Sequence, residues 1–150
     1  MSAPAANDKY TQGTRNIVAN AKKLVLEFKH THITPEHLLL ALLQEGDQRV
    51  LAVLTQGKAT PEQVRLLIMH HQRPGAEAIP ENMISFSERA KRVIEAAKEE
   101  AQRARATQIA PEHLLLGLTR VTNTVCGAVL RAVDVTTETL RERLYPGQQA

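Results

Sequence analysis

Apolar positions along this chain fall into short runs of helical spacing, broken by polar residues and prolines. Ile17, Val18, Ala21, Leu24, Val25 and Phe28 follow the i, i+1, i+4, i+7, i+8, i+11 rule of one apolar face, which predicts an amphipathic helix. Leu38 to Leu43 is apolar without interruption, so the next helix should be buried nearly all round. It opens at Pro35, an N1 residue whose missing N–H costs nothing there. A third helix carries Val50, Leu51, Val53 and Leu54 and stops near Gly57. Thr60-Pro61-Glu62-Gln63 opens a fourth as a capping box with proline at N1.

The whole pattern then recurs. Ile33-Thr34-Pro35-Glu36-His37-Leu38-Leu39-Leu40-Ala41-Leu42 returns as Ile109-Ala110-Pro111-Glu112-His113-Leu114-Leu115-Leu116-Gly117-Leu118, at an offset of 76 positions that holds without a gap in both directions. Upstream, Tyr10-Thr11 matches Phe86-Ser87; downstream, Thr60, Glu62 and Arg65 match Thr136, Glu138 and Arg141. The second copy's first helix uses Val93, Ile94, Ala97, Ala101 and Ala104, a narrower stripe of smaller residues. Thr11 and Ser87 sit where N-caps belong, and Asn123 and Thr136 are the expected caps of the second copy's last two helices. Repeat 1 therefore runs about 10–71 and repeat 2 about 86–145. The linker of about 72–85 contains Pro74-Gly75 and Pro80, and 1–9 and 146–150 read as loose tails. No strand-like alternation bounded by turns is visible. The expected fold is all-α: two tandem four-helix repeats, eight helices, packed on each other with pseudo-two-fold symmetry because neither repeat can hide its own stripe.

Composition narrows the function. In 150 residues, 43% are hydrophobic and 23% charged, a globular balance. Aromatics are only 3%, with no Trp, which argues against a base-stacking platform for single-stranded nucleic acid. A net charge of +3 is mild, and acidic and basic residues interleave, as on a solvated helix face, so nucleic-acid binding is a distant alternative. The single cysteine, Cys126, lies in the apolar run Val125-Cys126-Gly127-Ala128-Val129-Leu130 and reads as buried; it rules out an intramolecular disulfide framework and points to a reducing compartment. No run of 18 apolar residues is present for a membrane span, and Met1 to Asp8 lacks the basic and apolar regions of a secretory signal, so a cytoplasmic location is expected. Thr55-Gln56-Gly57-Lys58-Ala59-Thr60 lacks the first glycine of a phosphate-binding loop and lies between helices. His30, His32, His37, His70 and His71 invite a metal reading, but only His37 has a counterpart, His113. Local hydrogen bonding or packing explains those two better, and no metal or cofactor is expected.

The paired Glu-His-Leu-Leu-Leu motifs, each about 25 residues after a Tyr/Phe-Thr/Ser start, resemble the Clp N-terminal domain, the two-repeat, eight-helix module at the front of Clp-type unfoldases. The resemblance covers roughly residues 10–145. It implies a non-catalytic protein–protein interaction module that recruits substrates, degron peptides or adaptor proteins to a Clp ATPase or protease. A stand-alone accessory protein regulating assembly of, or access to, a Clp complex is the alternative. The motor is absent from this sequence, so it is either a free-standing Clp-N protein or a domain of a longer unfoldase.

In ClpC-like members that this chain resembles, phosphorylated arginine occupies two symmetry-related pockets, with a glutamate on the guanidinium and a helix-start hydroxyl on the phosphate. Carried over, the pockets become Thr11 with Glu36, and Ser87 with Glu112. Helix N-termini favour phosphate, and carboxylates pair bidentately with guanidinium. Glu36 and Glu112 also suit the second position of a helix for dipole reasons alone. Two differences from the family stand out: Pro35 and Pro111 remove an N–H and a hydroxyl, and Gln12-Gly13 stands where the second copy has Glu88-Arg89. Tyr10 and Phe86, ahead of the two helix starts, are core cover or hydrophobic contacts for partner peptides.

Overall fold

The computed structural model describes residues 9–147. Most of the two tails read from the sequence lies outside them. Helix α1 spans Gln12–Glu27, α2 Pro35–Glu45, α3 Gln48–Thr55, α4 Pro61–His70, α5 Glu88–Arg103, α6 Pro111–Arg120, α7 Val125–Ala132 and α8 Thr137–Leu144. The fold is all-α, as the periodicity predicts. Thr11 Oγ1 accepts the Thr14 N–H and Ser87 Oγ the Ala90 N–H, which fixes where α1 and α5 begin. At the C-terminal ends of α1 and α5, Lys29 and Arg105 take matched left-handed φ values of 57° and 58°.

Helices α2 and α6 begin with an unusual cap. The Thr34 N–H donates to His37 Nδ1 at 2.9 Å, and the Ala110 N–H donates to His113 Nδ1 at 2.9 Å. Histidine here does at N3 what glutamate or glutamine does in the ordinary capping box. The retained histidines are thus local hydrogen-bonding residues. The same two helices form the centre: Leu38 to Leu42 and Leu114 to Leu118 are all buried. Helices α1 and α5 pack along them, and α4, α7 and α8 close the remaining sides.

The narrow alanine stripe of α5 has a steric cause. A Cβ on Gly117 would stand 2.5 Å from the Val93 carbonyl oxygen and 3.0 Å from Ala97 N. Small residues on both helices therefore let the α5 and α6 backbones touch. Around that seam, Glu100 is buried (2% exposed) and held by Arg120 at 3.1 Å and Arg141 at 2.6 Å.

Two short strands, unseen in the sequence pattern because two residues are too few to alternate, join the repeats. β1 (His32–Ile33) and β2 (Ser85–Phe86) pair in parallel, His32 with Ser85 and Ile33 with Phe86. A parallel bridge between Tyr10 and Ile109 repeats the arrangement. Each position differs from its counterpart by the repeat offset, so each repeat lends its lead-in to the other. Lys9, counted with the tail on sequence grounds, takes part: its carbonyl accepts the Ile109 N–H at 2.7 Å. The linker also lies tight, with the Gly75 N–H donating to the Phe28 carbonyl at 2.8 Å. One expected cap moves by a residue: Thr124 Oγ1, not Asn123, accepts the Gly127 N–H and starts α7.

Gly117→Val should force α5 and α6 apart. Overpacking of this kind costs about 1–3 kcal/mol, read as a lower urea midpoint at unchanged m-value.

Candidate functional site

The cross-repeat strands decide which residues meet. The Ser87 N–H donates to the Ile33 carbonyl at 2.9 Å, and the Thr11 N–H to the Ile109 carbonyl at 3.1 Å. Ser87 consequently faces the start of α2, with Thr34, Pro35 and Glu36, while the Thr11–Gly13 turn sits against Pro111 at the start of α6. This corrects the pairing carried over from the sequence: Ser87 shares a cleft with Glu36, not Glu112, and Thr11 lies beside the helix of Glu112, not that of Glu36. The cleft at Glu36 is thus built from both repeats.

The first cleft encloses about 350 Å³ and is walled by Thr34, Pro35, Glu36, Ser87, Glu88, Arg89, Arg92 and Asn123. One Glu36 carboxylate oxygen accepts the Cys126 N–H at 2.9 Å, so Glu36 also caps the start of α7. Arg89 and Arg92 are exposed, and among the described residues neither is ion-paired. A broader groove of about 680 Å³ continues from it, sharing Thr34, Glu36 and Ser87 and reaching His30, His32, His71, Arg73 and Glu77. The arrangement places a carboxylate across from a helix N-terminus and two guanidinium groups.

At the equivalent position, the start of α6, Glu112 is already paired. Arg49 Nη1 lies 3.0 Å from Glu112 Oε2, with the two side chains 49% and 13% exposed. Arg49 Nη2 donates to the Leu144 carbonyl at 3.0 Å, and the guanidinium stands 5.5 Å over the Tyr145 ring. Tyr10 and Phe86 are half-buried against the core, on the pairing segments themselves.

The model of the Clp repeat (R) N-terminal domain matches residues 9–133 and again 85–149. The chain belongs to this family. ClpC of Staphylococcus epidermidis, an ATP-dependent Clp protease ATP-binding subunit, is 30% identical over 131 residues, covering 85% of this chain and 15% of that protein. The chaperone protein ClpB of Oceanobacillus iheyensis is 27% identical over 140 residues, covering 91% and 17%. The N-terminal domain of Hsp104 from Candida albicans superposes with a TM-score of 0.75 at 18% identity, covering 94% of this chain and 93% of that one. The chain thus spans 15–17% of the length of these two curated relatives. Clp N domains are non-catalytic domains through which Clp ATPases meet substrates and adaptors.

Three features of this Clp N domain lay outside the sequence reading. Arg49 is one; comparison of the copies could have flagged it, because its counterpart is the apolar Val125. Arg92 is another, with Asn16 as its counterpart. The third is a histidine relay. His37 Nδ1 accepts from Thr34, so Nε2 carries the proton and donates to His30 Nδ1 at 2.8 Å; His30 Nε2 then donates to the Arg73 carbonyl at 2.6 Å. It ties the linker to the start of α2. Cys126 is buried, and burial together with the nearby Glu36 carboxylate pushes its thiol well above the ordinary range, leaving it a poor nucleophile. Among the described residues, no three His, Cys, Asp or Glu side chains converge on a point where they could hold a metal ion, and no single helix is long and apolar enough to cross a membrane.

Burial, with His30 second, lowers the His37 pKa from 6.5 to about 4. Between those values the unfolded chain binds a proton that the folded chain refuses, so stability falls as pH drops from about 6.5 to about 4 and levels off below. His37→Gln keeps an acceptor at N3 and should lose less across that window. Urea midpoints at pH 7 and pH 4.5 check this: parallel losses in the two proteins would clear His37 of the effect.

Proposed function

We propose that this Clp N domain recruits substrates, degron peptides or adaptor proteins to a Clp-type ATP-dependent unfoldase or protease, in the cytoplasm, with no catalysis of its own. The observation that carries the reading is the Glu36 carboxylate at the edge of a cleft that also presents Ser87, Arg89 and Arg92. A ligand with a guanidinium beside an anion matches that pattern, and phosphoarginine on a client protein is the ligand we propose. Glu36 would take the guanidinium; the α5 N-terminus at Ser87 and the two arginines would take the phosphate. Thr11 and Glu112 are the equivalent residues by the repeat, with Arg49 already on the Glu112 carboxylate. Tyr10 and Phe86 flank the clefts and would cover apolar parts of a bound peptide.

The relatives support the recruiting part of this reading, since ClpC is named as the ATP-binding subunit of a Clp protease. The mild charge supports a peptide rather than a nucleic acid as the partner.

Calorimetry with free phosphoarginine tests the ligand. Saturable heat is expected for the wild type and at least tenfold weaker binding, about 1.4 kcal/mol, for Glu36→Ala with unchanged circular dichroism. No heat at millimolar ligand would remove phosphoarginine from the reading. Capture of clients from lysate tests the surface: equal recovery by the wild type and a Glu36→Ala, Glu112→Ala double variant would move it elsewhere. A nucleic-acid partner would instead reveal itself by steep weakening with salt.

A further inference from the structure

The starts of α2 and α6, equivalent by the repeat, differ at the residues that govern what each carboxylate can hold. At Glu112 the chain already supplies a guanidinium, from Arg49, held on three sides: the carboxylate at 3.0 Å, the Leu144 carbonyl at 3.0 Å and the Tyr145 ring at 5.5 Å. In-plane acceptors and an aromatic face are the surroundings a guanidinium prefers. At Glu36 the position matching Arg49 is Val125. That carboxylate accepts the Cys126 N–H and, among the described residues, is paired with no guanidinium or ammonium group. The opposite wall differs in the same direction, since Arg89 and Arg92 of the Glu36 cleft have Gly13 and Asn16 as counterparts.

We infer that Arg49 is an internal occupant of the Glu112 carboxylate, an arginine ligand supplied by the chain itself, and that an external arginine-type ligand engages the Glu36 cleft alone. Glu112 is mostly enclosed while the Arg49 side chain is half open to solvent, so Arg49 lies over the carboxylate as a cover. A ligand seeking Glu112 must first displace it and break its bonds to Leu144 and Tyr145. The phosphoarginine part of this inference rests on the proposed function; the occupancy of Glu112 by Arg49 does not.

Two measurements on the full chain keep those parts separate. The first uses methylguanidinium as a probe. Arg49→Ala should lower the melting temperature, and millimolar methylguanidinium should restore most of the loss, but not in Arg49→Ala, Glu112→Gln. An ordinary surface ion pair would give no such rescue, and equal responses of the two variants overturn the inference. The second is phosphoarginine stoichiometry by calorimetry. One equivalent is expected for the wild type, two for Arg49→Ala and one again for Arg49→Ala, Glu112→Gln. Two equivalents on the wild type overturn the inference. Rescue by methylguanidinium with no phosphoarginine binding to any variant upholds Arg49 as the occupant and overturns the phosphoarginine reading alone.

Discussion

Two backbone hydrogen bonds, from the Ser87 N–H to the Ile33 carbonyl and from the Thr11 N–H to the Ile109 carbonyl, seat the lead-in of each repeat on the other. They are short-range contacts with long-range consequences. A four-helix unit of this size cannot cover its central leucines alone; each first helix packs along its own central helix, α2 and α6 meet across the repeats, and the exchanged lead-ins bring the start of each first helix to the other repeat's central one. The Glu36 cleft arises from the same exchange. Without it Ser87 and Glu36 would belong to separate units and nothing would be shared between them. With it, the start of α5 faces the start of α2, and a helix N-terminus stands opposite a carboxylate.

Symmetry of this kind leaves each copy free to change as long as the joint survives, and the two copies have diverged in different ways. The second has moved toward rigidity. Gly117 and the α5 alanines bring two backbones into contact, and buried Glu100 ties α5 to α6 and α8 through Arg120 and Arg141. A buried carboxylate is costly unless paired and hydrogen-bonded, and two guanidinium groups meet that need. The first copy keeps larger apolar residues in α1 and invests in histidines: His30 and His37 join the linker to the start of α2, where the second copy has Ala106 and His113. His37 keeps its capping role only while neutral, which makes acid the natural stress on this joint.

Much of this architecture was legible in the residues. Helix starts could be read because Thr11, Thr60, Ser87 and Thr136 are chemically obliged to sit at N-caps, and Pro35, Pro61 and Pro111 at N1. The central helices were visible as unbroken leucine. Contacts between repeats were not. An offset of 76 says which residues are equivalent; it does not say which ones touch, and the cleft pairing was therefore assigned within each repeat when it runs across them. Asn123 was the reasonable cap by residue type, yet α7 begins one position later than strict periodicity allows and Thr124 takes the role. Arg49 was silent for a different reason. Its partner lies 63 residues away, and a lone arginine near a helix start carries no local signature.

The charge pattern of the Glu36 cleft bears on selectivity. A plain arginine placed there gains from Glu36, a partly exposed carboxylate and a contact worth about 0–1 kcal/mol, while Glu88 is already paired with Lys91, and its positive charge meets Arg89 and Arg92 unfavourably. A free phosphate gains from the helix N-terminus and the two arginines but has Glu36 and Glu88 against it. Each single charge is opposed by part of the cleft. A group that carries both charges a bond or two apart meets less opposition when correctly turned, since Glu88 on the phosphate side is exposed and paired with Lys91, and reversed it meets repulsion at both ends. Glu36 is also held by the Cys126 N–H, so it is oriented before anything binds and less rotamer entropy is lost on contact. Discrimination in this cleft would come from rejecting the half-matched ligands, more than from a strong grip on the matched one.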